Sequence, residues 1–164
     1  MQAGLKFPTG EYQVANAGGV VAERMLQPGT GSTDLILGAL WTTPHVGAGT
    51  SLFAQIAVQH AVVIRDQYRP GDLYTLNLGA RHSLTQRVAA LFQLNALARN
   101  RESGANAESA LSGGLTLLAS PGLAVAITRD IQAYGFVQLP LYRYVNGVQL
   151  TADWAVVTGA SIRF

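Results

Sequence analysis

The sequence predicts an all-β fold, in which one antiparallel up-and-down sheet of about eight strands forms a transmembrane β-barrel. Three observations predict it. Apolar residues alternate with polar or small ones in segment after segment, the alternating segments are long, and short and long connections follow one another in turn. A period of two places successive side chains on opposite faces of a strand. No run approaches the roughly 18 uninterrupted apolar residues of a membrane-spanning helix, so helical spans are excluded.

The first part of the chain contains five alternating segments. A strand over residues 2–8 bears Lys6 and is followed by a long glycine-rich loop. In the next four strands nearly every second residue is apolar, and they cover residues 33–42, 49–62, 72–83 and 87–98. In the first of these four, Leu37 and Trp41 lie on the face opposite Asp34.

Two further strands precede the C-terminal one. The segment 110–128 keeps its alternation through Ser120-Pro121-Gly122, which predicts one bent strand, although these residues could instead form a turn that splits it. In the segment 132–145, Pro140 has no N–H to donate to a ladder and therefore indicates a bulge or irregularity. Asn146-Gly147 then predicts a tight turn.

The last segment, residues 148–164, has the clearest alternation. Its even-numbered residues, from Val148 through Trp154 to Phe164, are almost wholly apolar, whereas the odd-numbered ones are mostly polar or small. We predict a single strand, about three times as long as the usual 5–6 residues. A long strand with one apolar face is typical of a membrane barrel, where lipid-facing and interior-facing residues alternate.

The connections support the same fold. If the C-terminus lies on the periplasmic side, the short connections 43–47, 84–86 and 128–131 lie there too. The long connections 9–32, 63–71 and 99–109 are then external loops, and only 145–148 is a short external one. Short periplasmic turns with long external loops are the expected asymmetry of bacterial barrels.

Composition bounds the function. The 164 residues predict a single domain over 1–164; 49% of them are hydrophobic and 12% charged, against the usual quarter. There is no cysteine, which excludes disulfides and thiolate metal sites, and we expect no metal or other cofactor. The net charge of +2 with scattered arginines argues against a nucleic-acid partner. Residues 1–10 lack an export signal, so we expect the chain to be the C-terminal part of a longer precursor or to lack its natural N-terminus.

A soluble eight-stranded barrel of the lipocalin or streptavidin type is the main alternative fold. Such a barrel is apolar inside and polar outside. The polar faces of this chain are small, glycine-rich and poor in Lys and Glu, so they would coat a soluble exterior badly. They suit the interior of a membrane barrel better.

Five segments carry a family resemblance: residues 4–10, 27–34, 68–72, 120–122 and 137–150. Together they resemble the Gram-negative outer-membrane barrels grouped as putative transporters of the phenol-degradation meta-pathway type. The resemblance covers nearly the whole chain, without the signal and early strands that such proteins usually carry. It implies an outer-membrane location and the passage of small hydrophobic or aromatic solutes, and it implies no catalytic residue.

The interior-facing positions are the candidate functional residues. They are Lys6, Asp34, Gln55, Gln59, Asn77, Arg81, Gln93, Asn95, Tyr134, Gln138, Asp153 and Arg163. In an open pore such side chains set selectivity. In a narrow barrel they would instead fill the interior as a satisfied polar core, with pairs such as Asp153–Arg163 or Asp34–Arg81. Both interpretations stay open, and with them a structural or adhesion-type barrel with functional external loops.

Aromatic and loop residues predict the partners. Trp41, Trp154 and Phe164 are expected at the membrane interface, among outer-membrane lipids. A terminal Phe is read by the barrel-assembly machinery in the bacterial barrels that this chain resembles. Arginines of the external loops could contact lipopolysaccharide phosphates, although solvated loop charge is the simpler explanation for them.

An enzymatic function is not expected. A hydrolase needs a serine within hydrogen-bond reach of a histidine that a carboxylate orients. His82 and Ser83 are adjacent on a predicted strand and therefore point to opposite faces. A lipid-hydrolase barrel is thus the weakest alternative.

Overall fold

The computed structural model describes residues 1–43, 46, 47 and 49–163, and of Met25 only the backbone. Phe164 lies outside the described residues, and so does the interface position predicted for it.

The chain forms one antiparallel sheet of eight strands in consecutive order, which confirms the predicted all-β up-and-down fold. The strands are β1 Gln2–Lys6, β2 Thr33–Thr43, β3 Thr50–Val63, β4 Leu73–Ser83, β5 Val88–Arg99, β6 Gly114–Ala126, β7 Ile131–Val145 and β8 Ala155–Ile162. The only helical elements among the described residues are two single 3₁₀ turns, Arg24–Leu26 and Ser109–Leu111.

The sheet curls into a half-barrel. Arg81 Nη1 on β4 donates to Gln132 Oε1 on β7 at 3.3 Å, across two intervening strands. We call the face that bears these two side chains the concave face, and the opposite face the convex face. In the part of the chain that the structure describes, β1 pairs only with β2 and β8 only with β7, so no ladder joins the two outermost strands.

The connections sort by length between the two ends of the sheet, as predicted. At one end, here the turn end, β2 is followed by β3, and the connections 84–87 and 127–130 lie there too; at the other, the loop end, lie 7–32, 64–72, 100–113 and 146–154. The last of these was predicted as a tight turn, and that prediction is wrong.

The final strand is shorter than predicted because residues 146–154 leave the ladder. The Arg143 guanidinium donates to Thr151 Oγ1 at 3.0 Å and to the carbonyl oxygen of Ala152. Gln149 Nε2 donates to the Gly113 carbonyl oxygen at 2.9 Å. These polar contacts hold the segment beside β6 and β7, and β8 begins only at Ala155.

The irregularity predicted at Pro140 is a β-bulge. Leu118 pairs with Pro140 whereas Leu117 pairs with Tyr142, which leaves Leu141 as the extra residue. A bulge reverses the faces of all residues beyond it. Unbroken alternation from Gln138 predicts Tyr142 in the interior register. The bulge places it on the convex face instead, so that prediction is wrong.

Strand β6 runs without a break through Pro121, so the prediction of one bent strand is confirmed. Pro121 is exposed on the convex face opposite Phe92 of β5. No residue of β7 pairs with Pro121. Because that ladder has a gap at this position, the absence of an N–H on proline is tolerated there.

The two faces of the sheet differ sharply in charge. All Asp, Glu, Lys and Arg residues within the eight strands occupy the concave register, namely Lys6, Asp34, Arg81, Arg99 and Arg143. The convex register carries large apolar side chains that are roughly half exposed, among them Leu37, Ile56, Leu78, Phe92, Leu123 and Val156. The fully buried residues are few and mostly small, such as Ala61, Ala89, Ala124 and Ser120.

Candidate functional site on the concave face

A buried carboxylate organises the loop end of the concave face. Asp34 on β2 is 2% exposed and accepts three hydrogen bonds. Ser32 Oγ donates to Oδ1 at 2.6 Å, while Lys6 Nζ and Gln59 Nε2 donate to Oδ2 at 2.7 and 2.6 Å. Lys6 Nζ also donates to Thr30 Oγ1 at 2.7 Å. Each polar side chain of this cluster has a hydrogen-bond partner within it. These hydrogen bonds connect β1, β2 and β3 with the end of the long loop 7–32.

The structure thus joins three predicted interior residues and corrects one predicted pair. Lys6, Asp34 and Gln59 meet, whereas Asp34 does not pair with Arg81. Asp34 lies at the loop end of β2 and Arg81 at the turn end of β4, where it stands opposite Ser51.

A belt of amides crosses the middle of the concave face. Gln55 Nε2 donates to Gln2 Oε1 at 3.0 Å, and Asn77 Nδ2 contacts Gln55 Oε1 at 3.4 Å. Asn95 Nδ2 donates to Asn77 Oδ1 at 2.8 Å, and Asn95 Oδ1 accepts from Ser120 Oγ at 2.6 Å. This belt connects β1 with β3, β4, β5 and β6, and it includes three of the predicted interior residues.

Gln93, a fourth predicted interior residue, joins the belt from the side. Its Oε1 accepts from Asn95 Nδ2 at 3.3 Å. Gln93 also borders the turn-end concavity, so it links the two parts of the concave face.

The turn end of the concave face is an open concavity of about 460 Å³. Arg81 and Gln132 supply its hydrogen-bonded polar pair. Residues of every strand from β2 to β8 except β6 line it, including Ser51, Phe53, Leu91, Gln93, Tyr134, Phe136 and Ser161. The sequence prediction included Arg81, Gln93 and Tyr134 but missed Phe53, Leu91, Gln132 and Phe136. Sequence alternation places Phe53 and Phe136 in the interior register. This is the signal by which the sequence could have identified the two residues as part of the site.

Three aromatic rings in this concavity lie over glycines of a neighbouring strand. The directly paired residues are Phe53 with Gly79, Tyr134 with Gly159 and Phe136 with Gly122. A Cβ built on each of these glycines would lie 2.1 to 2.5 Å from the partner's ring. The missing side chains therefore let the rings lie close against the wall of the sheet.

Gln138 and Asp153 lie near the loop end, apart from this concavity. Gln138, Pro140 and Arg143 line a smaller recess of about 290 Å³ together with residues 150–152, 154 and 155. Asp153 has a 94% exposed side chain and contacts Arg143 Nη1 at 3.4 Å. It is therefore not an interior residue.

Arg163 follows β8 at the turn end, where its backbone N–H donates to the Asp130 carbonyl oxygen at 2.9 Å. It is exposed, and it lies at the opposite end of β8 from Asp153. The predicted pair Asp153–Arg163 is wrong for that reason.

The loops at the loop end pack into one unit, here the loop cap, made of 7–32, 64–72 and 100–113. Tyr68 is 2% exposed, and its hydroxyl donates to Glu102 Oε1 at 2.5 Å. The Arg24 guanidinium lies 4.6 Å from the Tyr12 ring centroid and 5.2 Å from that of Tyr68, and it donates to Asp66 Oδ2 at 2.7 Å. Burial and the hydrogen bond to Glu102 raise the pKa of Tyr68 well above its usual value.

Arginines of the loop cap also hold their own loops. Arg69 Nη1 donates to the Ala61 carbonyl oxygen at 2.6 Å, and Arg101 Nη2 donates to Asn146 Oδ1 at 3.0 Å. The contact with lipopolysaccharide phosphates stays a prediction.

The two predicted interface tryptophans lie at opposite ends of the sheet. Trp41 is 58% exposed on the convex face near the turn end of β2. Trp154 is 65% exposed in the connection before β8, outside the ladder. Beyond the bulge, Tyr142 and Tyr144 add two exposed rings to the convex face at the loop end, which the unbroken alternation missed.

The described histidines do not form a catalytic triad. His60 Nδ1 lies 2.7 Å from Asp72 Oδ1, and His82 Nδ1 lies 2.8 Å from Thr50 Oγ1. His45 lies outside the described residues. Within the described part of the chain, no three His, Cys, Asp or Glu side chains gather as a metal site.

No protein-family model, no curated protein and no solved structure matches this chain. None of the helices in the described ranges is long and apolar enough to cross a membrane.

Proposed function

We propose that this chain forms the wall of a transmembrane β-barrel in a bacterial outer membrane, and that small hydrophobic or aromatic solutes pass along its concave face. One observation carries the proposal. Every Asp, Glu, Lys and Arg of the eight strands lies in the concave register, and the convex register holds exposed apolar side chains. In water this arrangement would expose a large apolar surface, which soluble monomers rarely do.

The energetics of lipid explain such a distribution. A Lys or Arg on the lipid face of a barrel costs about 2–4 kcal/mol at the bilayer midplane. The same side chain facing a wet interior costs little. Lipid also requires that backbone N–H and C=O groups be hydrogen-bonded. Strands β2 to β7 pair on both sides, and a closed barrel must also pair the outer edges of β1 and β8.

The concave face offers a route suited to weak, repeated contacts. Polar groups occur from the Asp34 cluster through the amide belt to Arg81, and aromatic rings line the turn end. Conduction requires that each contact be weak enough to release the solute. Rings backed by glycines add apolar contact without closing the concavity.

The first experiment is to refold the chain into detergent micelles and into liposomes. We expect β-type circular dichroism and a heat-dependent shift in electrophoretic mobility. A charge placed on the convex face, Leu78→Lys, should reduce the folded fraction in liposomes strongly. The matched change on the concave face of the same strand, Thr75→Lys, should reduce it little. Equal tolerance of both charges would contradict the membrane proposal.

Passage needs its own measurement, because a membrane barrel can also be filled. Steady conductance in planar bilayers supports a channel. Silence from a folded, inserted chain supports the second candidate, a structural or adhesion-type barrel whose loops are functional.

The amide belt and the loop cap are the observations that favour this second candidate. Asn95 is 6% exposed, and Tyr68 is buried between packed loops. Fully satisfied polar networks of this kind rigidify an interior. Replacement of Asn77 and Asn95 by Ala should then raise conductance from near zero, whereas in an open channel it should change conductance only modestly.

A further inference from the structure

Arg81 has no carboxylate partner among the described residues, whose acid–base pairs involve Lys6, Arg24, His60 and Arg143. Its one side-chain hydrogen bond goes to Gln132 Oε1, and a guanidinium has five N–H donors. The only acidic side chain in the strands, Asp34, is at the other end of the sheet and is already satisfied. Arg81 therefore has free donors on the concave face.

Apolar and aromatic side chains form a large part of the concavity beside Arg81. Phe53, Leu91, Tyr134 and Phe136 line the same concavity, and the last two rings meet edge to face with centroids 6.1 Å apart. A volume of about 460 Å³ falls within the roughly 300–1,000 Å³ of small-molecule sites. One cation beside apolar walls is the complement of a molecule with one anionic head and an apolar body.

We propose that the turn-end concavity binds small monocarboxylic acids with an apolar body, the carboxylate on Arg81 and the body against the rings. The inference rests on the proposed function and names the solute class of that same concave face. A guanidinium binds a carboxylate through two parallel N–H···O bonds. The hydroxyls of Ser51 and Ser161 line the same concavity and can donate to the carboxylate as well.

The site favours a monocarboxylate over a multiply charged anion. Among the described residues, Arg81 is the only basic one that lines the concavity, and the other hydrogen-bonding side chains there are neutral hydroxyls and amides, which do not balance further negative charges. An apolar solute without the acid keeps the ring contacts but loses the charged hydrogen bonds. A carboxylate without a body keeps the hydrogen bonds but loses the apolar contact.

The test is a titration of the refolded chain in micelles, followed by ¹⁹F NMR. The probes are 4-fluorobenzoate, the neutral 4-fluorobenzyl alcohol and the small anion fluoroacetate. We expect saturable binding of 4-fluorobenzoate, at least about tenfold tighter than that of the other two. Arg81→Gln should remove this preference. Arg129→Gln, the same change on an exposed turn residue at the same end, should keep it.

Equal affinity for the acid and the alcohol would overturn the proposal, and so would no saturable binding of the acid. If Arg81→Gln fails to fold, the comparison of probes on the unaltered chain still decides. Swelling of liposomes in glycerol tests passage separately. Passage of glycerol without binding of the acid would refute only the site, whereas binding without passage would refute only the channel.

Discussion

Phe53 on β3 and Gly79 on β4 stand directly opposite each other, and the Phe53 ring occupies the space that a side chain at position 79 would fill. The same relationship recurs at Tyr134 with Gly159 and at Phe136 with Gly122. Three such pairs around one concavity show that its width depends on glycine as much as on the aromatic residues. Larger residues in place of these glycines would displace the aromatic rings toward the centre of the concavity.

Replacement of Gly79 by Ala should therefore move the Phe53 ring into the concavity. The new Cβ would lie 2.1 Å from Cε1 of that ring, closer than any real contact. We expect a loss of about 1–3 kcal/mol in the free energy of unfolding, measured by urea titration in micelles. The double variant with Phe53→Leu should lose less than Gly79→Ala alone.

Gly135→Ala is the matched control, because a Cβ there would meet its nearest atom, Thr158 Cγ2, at an ordinary 3.6 Å. We expect it to unfold like the unaltered chain. Equal destabilisation by Gly79→Ala and Gly135→Ala would show that the ring contact at position 79 is not responsible.

The Asp34 cluster makes a prediction about stability. Asp34→Ala removes the carboxylate that accepts from Lys6, Ser32 and Gln59 and leaves the partly buried Lys6 ammonium without its opposite charge. We expect a loss of about 2–3 kcal/mol in the free energy of unfolding and weaker pairing of β1 with β2. Asp153→Ala removes a carboxylate that is 94% exposed and should cost almost nothing. Hydrogen exchange of the β1 amides would report the local effect, and unchanged protection in Asp34→Ala would refute it.

Alternation alone predicted the strands and most of the concave residues, because a period of two depends only on local geometry. It could not predict which concave residues meet. Asp34 was assigned the correct face, but its partner depends on the register between strands, and the long loop 7–32 leaves that register undetermined. The predicted candidate residues are polar side chains of the interior register, and they therefore do not include Phe53 and Phe136.

The errors near the C-terminus have a common physical cause. The bulge at Leu141 turns Arg143 to the concave face, and the polar contacts of Arg143 then hold residues 150–153 off the ladder. Pro140 indicated an irregularity but not its consequence, because the pairing with β6 decides where the extra residue lies. A strand predicted from 148 therefore begins at Ala155.

The loop cap should lose stability in alkali. The pKa of Tyr68 is raised above its unfolded value of about 10. Below pH 10 the stabilisation from the neutral hydroxyl is fully present. Above pH 10 the unfolded cap releases a proton that the folded cap retains, so the stabilisation declines as the pH rises toward the folded pKa. Hydrogen exchange of the loop amides between pH 8 and 11, corrected for intrinsic rates, should show this opening.

Tyr68→Phe is the control for that measurement. The variant leaves the Glu102 carboxylate without its donor, so we expect more opening of the loop cap at neutral pH. The loop cap of this variant should also open less steeply with pH, because only the hydroxyl of Tyr68 differs between the two proteins. An identical alkaline slope in the two proteins would exclude Tyr68 as the titrating group.

The bulge in β7 predicts which neighbours face water. Unbroken alternation from Gln138 would put Tyr142 on the concave face and Arg143 on the convex face, whereas the bulge reverses both. The chain has no cysteine, so Tyr142→Cys and Arg143→Cys each provide a single labelling site. In liposomes a charged maleimide should modify position 143 quickly and position 142 slowly, because lipid covers the convex face in the proposed barrel. Val145→Cys, on the same face as Arg143, should react like position 143. The opposite order of rates would place the extra residue elsewhere in β7 and return Tyr142 to the interior.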